Sequence, residues 1–353
     1  MTQIVDWDLA ASTAGALGRT GPSVTYTEAS EVVTSLRELT DLAEEHVVKY
    51  TGLRAQVEHP PVRVVDRKDW AAVNVAGLRQ VVTPVAERLG VGKAGPLMRT
   101  AGAKTTGVQA GAVLAYLSGK VLGQYEVFSS DPGQLLLVAP NVVDAERKLE
   151  VDSRDFRLWV CLHEVTHRTQ FTAVPWLRGH FLAEVLAFAE AAELDPEALA
   201  ERLRRAVSTI ADVIGNPRSR GSVIDLVQTP AQREVLDRLT ALMTLAEGHA
   251  EFVMDGVGPE VVPSVAVIRE RFDARRAAGS PVQKIVRKLL GIEAKLRQYA
   301  EGNKFVAAVV DQIGMDGFNQ IWTSAETLPT LAELTEPNDW IERVHGRAAP
   351  GGS

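Results

Sequence analysis

The sequence predicts a mainly α-helical protein with one small β element, and three observations carry that expectation. Apolar residues recur at helical spacing along most of the chain, and long stretches that alternate polar and apolar residues are few. One segment has a different texture: Gly123 to Phe128, the turn Ser130-Asp131-Pro132-Gly133, and the apolar run Leu135-Leu136-Leu137-Val138. Shortly after it stands His163-Glu164-Val165-Thr166-His167, an H-E-x-x-H pattern that works chemically only on a helix.

The elements follow in order. Met1 to Leu17 contains Asp6 and Asp8 and has no Lys or Arg before Arg19, so it lacks the basic start of a secretory signal. Thr27 to Tyr50 reads as an amphipathic helix, as does Trp70 to Leu89, with Pro84 as a kink or break. A further helix runs from about Pro96 to Leu122 and leads into the β segment. The apolar run Phe156 to Leu162 makes a buried helix that carries the H-E-x-x-H pattern, with Asp152 or Ser153 as N-cap. Pro175 opens the next helix, which extends through Glu193 with Leu177, Phe181, Val185 and Phe188 or Ala189 on its apolar face. Residues 215–221 form a loop. Thr229-Pro230-Ala231-Gln232 then matches a capping box, and a long helix should run from Pro230 to about Asp255, where Gly256, Gly258 and Pro259 stop it.

Arg269 to Lys304 holds ten Lys or Arg against four Asp or Glu, which reads as solvated helix faces or, more sharply, as a surface for an acidic partner or substrate. Arg347 to Ser353 reads as a short disordered tail. With no internal repeats and no long linker, residues 1–346 are expected to form one compact, mostly helical domain.

Composition narrows the function. A chain of 353 residues with 46% hydrophobic content can bury a sizeable core. Its net charge of −7 argues against general nucleic-acid binding, and no apolar run approaches the length of a membrane span. The one cysteine, Cys161, excludes an internal disulfide and suits a reducing compartment, so a cytoplasmic location is the expectation. Two residues before His163, Cys161 reads as a packed helix residue and not a metal ligand.

On a helix, positions i and i+4 lie nearly above one another, so His163 and His167 can present ring nitrogens to one Zn²⁺ ion while Glu164 sits beside them as proton acceptor. A catalytic zinc takes three protein ligands. The extension H-E-x-x-H-x-x-G-x-x-H is excluded, because Gln170 and Ala173 stand where it needs glycine and histidine. A glutamate from a later helix is the other solution, and Glu247 in Leu245-Ala246-Glu247-Gly248-His249-Ala250-Glu251 is the leading candidate. Its neighbour Gly248 costs a helix roughly 1 kcal/mol relative to alanine, a cost that a close approach to another helix or to the metal would explain. Glu251 and Asp255, one and two turns on, could orient a zinc-bound imidazole. His249, Glu184 and His180 remain as alternatives; His249 points about 200° away from Glu247 around the helix, so both cannot easily face one ion.

His163 to Phe171, Val174-Pro175-Trp176-Leu177-Arg178 and Glu247-Gly248-His249-Ala250 together resemble actinobacterial zincin-like metallopeptidases associated with deazaflavin-cofactor (coenzyme F420) biosynthesis. Val121 to Tyr125 and Leu135 to Asn141 are similar to the same family, so the resemblance extends over most of the chain. It implies a mainly helical zincin-like fold with its zinc core at about residues 121–260, His163 and His167 as ligands and Glu164 as catalytic glutamate. The Glu-Gly-His segment is similar to the third-ligand helix of gluzincin peptidases, which favours Glu247.

The expected function is a zinc metallopeptidase acting on a peptide or protein substrate. Glu164 would take a proton from water activated by the metal and pass it to the leaving amine. Tyr125, Arg178, His180 and His249 are candidate donors to the oxyanion. An extended substrate could add to a sheet edge beside the metal if the 123–138 segment is an edge; otherwise that segment is a small internal hairpin. The competing expectation is a helical binding or scaffold protein with a structural or degenerate zinc site, against which the presence of Glu164 argues.

Overall fold

Four successive residues, Leu135 to Val138, are each no more than 1% exposed, and their alternation sends side chains into two different cores. They belong to β3, the middle strand of a three-stranded sheet in the order β1-β3-β2. In a computed structural model the protein is described over residues 4–88, 96–191, 230–278 and 292–346. In chain order the elements are α1 (Trp7–Leu17), α2 (Tyr26–Thr51), β1 (Arg63–Val65), α3 (Arg67–Arg88), α4 (Pro96–Ser118), β2 (Gly123–Glu126), β3 (Gln134–Val138), α5 (Ala139–Leu149), α6 (Ser153–Ala173), α7 (Pro175–Glu190), α8 (Pro230–Gly256), α9 (Val265–Ala278), α10 (Ile292–Phe318), α11 (Leu331–Thr335) and α12 (Pro337–His345). The fold is thus mainly α with a small sheet, as the sequence predicts.

The predicted hairpin is present. β2 pairs antiparallel with β3, Gly123 opposite Leu137 and Tyr125 opposite Leu135. β1, which the sequence reading does not delimit, adds in parallel on the other side, Arg63 opposite Leu136 and Val65 opposite Val138. Leu135 and Leu137 point into a core shared with Leu36 of α2, Val142 of α5 and Phe156, Leu158 and Val165 of α6. Leu136 and Val138 point the other way, against Trp7 of α1, Trp70 of α3 and Leu114 of α4. A third core gathers Leu177 of α7, Leu245 of α8, Phe305 and Phe318 of α10 and Trp340 of α12, and Phe171 of α6 packs against both this core and the first.

Helix α6 is therefore surrounded, and polar anchors fix its position. Asp152 is its N-cap, accepting from the Asp155 backbone N–H at 2.9 Å. Glu146 of α5 takes a forked pair from Arg157 at 2.9 and 2.7 Å, and Arg168 donates to Glu44 of α2 at 2.9 Å. The Asp155 carboxylate accepts from both the backbone N–H and the hydroxyl of Ser264. Buried charges held in such fork geometry fix direction as well as contact.

Some boundaries differ from expectation. α3 continues through Pro84 without a break. α4 ends at Ser118, short of the expected Leu122, because the chain must turn before Gly123 opens β2. α1 and α5 were not delimited either: each is only 11 residues long, and α5 follows β3 without a loop between them. α8 matches its predicted span within a residue, while α7 is described to Glu190. The 215–221 loop, Thr229 and the 347–353 tail lie outside the described residues. In the basic segment, Arg269 faces Glu251, Asp255 and Asp273, and Arg271 donates to the Leu149 and Glu150 carbonyls, so these two cations are engaged within the chain. Among the described residues, no helix is long and apolar enough to cross a membrane.

Candidate metal centre

His163 and His167 lie on consecutive turns of α6, and their Nε2 atoms approach to 3.2 Å with the rings nearly perpendicular, at 88°. Glu247 enters from α8, placing Oε2 at 3.6 Å from His163 Nε2 and 3.8 Å from His167 Nε2. Among the described residues these three form the one group of His, Cys, Asp or Glu side chains placed to share an ion. Three ligands at tetrahedral zinc, with bonds of about 2.0–2.2 Å, stand about 3.3–3.5 Å from one another. The donor set and its spacing fit such an ion closely.

The alternatives are placed elsewhere. Glu184 pairs with Arg238 at 3.0 Å. The His180 ring meets Trp176 edge-on at 5.7 Å. His249, fully buried, packs its ring against Phe318 and Trp322. Cys161 is buried beside Thr40, its thiol pushed up to about 12 by burial, so it is a packed residue as expected. Asp255 does not reach an imidazole: it accepts from Trp159 Nε1 at 3.3 Å and pairs with Arg269 at 2.7 Å. Glu251 lies 3.7 Å from the same guanidinium, and its charge favours the protonated form of His163.

The odd glycine beside Glu247 has a packing cause. A Cβ on Gly248 would run into the backbone of Gly302 and Asn303 in α10, and a Cβ on Gly302 would run into the Thr244 carbonyl of α8. Two glycines facing one another let α8 and α10 meet backbone to backbone. Of the two explanations for Gly248, the helix approach is the one present.

One residue at the centre was passed over in the sequence except as a mismatch to a longer motif. Gln170, fully buried, lies one turn after His167, whose Nδ1 is 3.0 Å from Gln170 Oε1. Gln170 Nε2 donates to the Ala246 carbonyl at 2.9 Å and lies 3.0 Å from His249 Nδ1. The signal available in the sequence was an uncharged amide at i+3 from a candidate ligand on a largely apolar helix. His163 differs from its partner: its Nδ1 is buried without a hydrogen-bond partner.

Glu164 lies against the sheet. A Cβ on Gly123 of β2 would stand 2.5 Å from Glu164 Cγ and 2.9 Å from its Oε1, so this strand residue must be glycine for the carboxylate to occupy its place. Burial, opposed by His163 and aided by Glu247, pushes the Glu164 carboxyl up to about 7. Burial pulls the His167 imidazole down. For His163 the same burial is outweighed by the Glu247 carboxylate, and the net shift is upward. Burial together with nearby His167 holds His249 down to about 3, so it stays neutral.

Of the four candidate oxyanion donors, Tyr125 and Arg178 are occupied. The Tyr125 hydroxyl donates to the Pro132 carbonyl at 2.8 Å, and its ring stacks on Phe171. Arg178 binds the carbonyls of Val127 and Ser130 and the Asp131 carboxylate, bracing the hairpin. His180 and His249 are turned to aromatic neighbours as described above.

Comparison with known proteins matches this architecture. The chain is similar to a crystal structure from Chloroflexus aurantiacus described as "a putative hydrolase with a novel fold": 29% identity, TM-score 0.71, covering 98% of this chain and 100% of that one. No curated protein sequence matches. The model of the zincin-like metallopeptidase family matches residues 5–341, which is nearly the whole chain, and the protein belongs to that family.

Proposed function

We propose that the protein is a gluzincin-like zinc hydrolase that cleaves a peptide or amide bond, with Zn²⁺ held by His163, His167 and Glu247 and with Glu164 as general base. Membership in the family implies a metal, and the single observation that carries the reading is the convergence of three ligand atoms, 3.2, 3.6 and 3.8 Å apart, beside a buried carboxylate. Zinc in such a site supplies Lewis-acid polarisation of the carbonyl and a lowered pKa for water.

The chain's own residues supply the rest. Glu164 takes the proton of the attacking water on a carboxylate oxygen and gives it to the leaving amine. Gly123 keeps that carboxylate in place, and it stands on β2, an outer strand of the sheet. An edge strand next to the base supports a substrate bound in extended form, as a further strand. The partner is then a peptide or protein in an aqueous compartment, the cytoplasm being our assignment, with no nucleic acid or membrane involved. Nothing in this reaction uses a deazaflavin.

The test is Glu164→Gln assayed on a peptide library. Loss of proton transfer should lower kcat by about 10²–10⁴ while zinc content stays that of the wild type. Unchanged hydrolysis by the variant would refute the mechanism, and a zinc-loaded wild type inert on peptides and amides alike would favour the scaffold alternative.

A further inference from the structure

We propose that Gln170 is a positioning residue that fixes which nitrogen of His167 faces the metal and sets the spacing between the two helices that carry the ligands. This rests on the zinc reading above. The Ala246 carbonyl can only accept. The Gln170 atom 2.9 Å from it must therefore be the NH₂ group, and the other terminal atom must be the carbonyl oxygen. That oxygen lies 3.0 Å from His167 Nδ1, so Nδ1 carries the hydrogen. The Nε2 lone pair is left pointing at the space shared with His163 and Glu247.

The second hydrogen of the amide meets His249 Nδ1 at 3.0 Å, which fixes His249 as the Nε2–H tautomer. Ala246 and His249 flank Glu247 on α8. One fully buried side chain of α6 thus grips α8 on both sides of the third ligand and, through its oxygen, orients the second. A shift of α8 relative to α6 would break two fully buried hydrogen bonds, where each unmade bond is costly.

The test uses the full chain and has two parts. Gln170→Met keeps the approximate volume and removes all three hydrogen bonds; in competition with a chromophoric chelator it should bind zinc about 10- to 100-fold more weakly than wild type. In the metal-free wild type, long-range ¹H–¹⁵N NMR should find His167 protonated at Nδ1 and His249 at Nε2. Wild-type zinc affinity in a folded Gln170→Met, or an Nε2–H tautomer at His167, would overturn the proposal. Should the variant not fold, the tautomers decide alone. A wild type that binds no zinc would sink the zinc reading, and the tautomers would still decide the role of Gln170.

Discussion

The two sides of the proposed metal centre are held together in different ways. On the α6 side, His163, Glu164 and His167 come from five consecutive residues of a helix capped by Asp152 and anchored by the Arg157–Glu146 and Arg168–Glu44 pairs. On the α8 side, Glu247 depends on long-range packing: the Gly248–Gly302 contact with α10 and the grip of Gln170 on Ala246 and His249. The first arrangement needs only the pitch of a helix, whereas the second needs three helices at the right separation. Damage to distant packing should therefore reach the metal through α8 before it reaches it through α6.

Gly248→Ala breaks that comparison most directly. The added Cβ must push α8 from α10, an overpacking cost of about 1–3 kcal/mol that outweighs the gain of roughly 1 kcal/mol in helix propensity. Because Glu247 is the next residue, zinc affinity should fall by about 10- to 100-fold, measured by chelator competition. Affinity within threefold of wild type would mean that the α8 side is as locally determined as the α6 side.

Gly123→Ala sharpens the comparison from the opposite side. It displaces Glu164, so kcat/KM should fall about 10- to 100-fold, a loss within the range that general-base catalysis contributes, at unchanged zinc content. A variant that lost zinc instead would show that the sheet positions the histidines too.

A separate effect is on stability without metal. The Glu164 carboxyl is raised from 4.5 to about 7 in the folded chain. Between those values the folded protein holds a proton that the unfolded chain has released, so stability falls as pH rises through the window and is unaffected below it. Metal-free Glu164→Gln should match wild type near pH 4 and exceed it by up to about 3 kcal/mol at pH 8, read from urea denaturation. Equal pH dependence in the two proteins would place the Glu164 carboxylate in water.

Legibility in the sequence followed the same division. His163, Glu164 and His167 stand within one local pattern, and Asp152 could be read as a cap. Glu247 was legible through the glycine after it, whose cause is a helix from the far end of the chain, and through the resemblance of the Glu-Gly-His segment to a third-ligand helix. Gln170 and Gly123 were not singled out as site residues, because an amide or a glycine acquires its role from what packs against it. The same holds for Arg178 and Tyr125, chemically suited to an oxyanion yet committed to bracing the hairpin. β1 spans only three residues, too short for alternation to register. Helices long enough to show their period, such as α2 and α8, were found nearly whole.

The most direct test of the central claim is elemental analysis of zinc in purified wild type, His163→Ala and Glu247→Ala. One zinc per chain in the wild type and its loss in both variants are expected. No zinc in wild type purified with ample metal, or loss in His163→Ala alone, would contradict the claim.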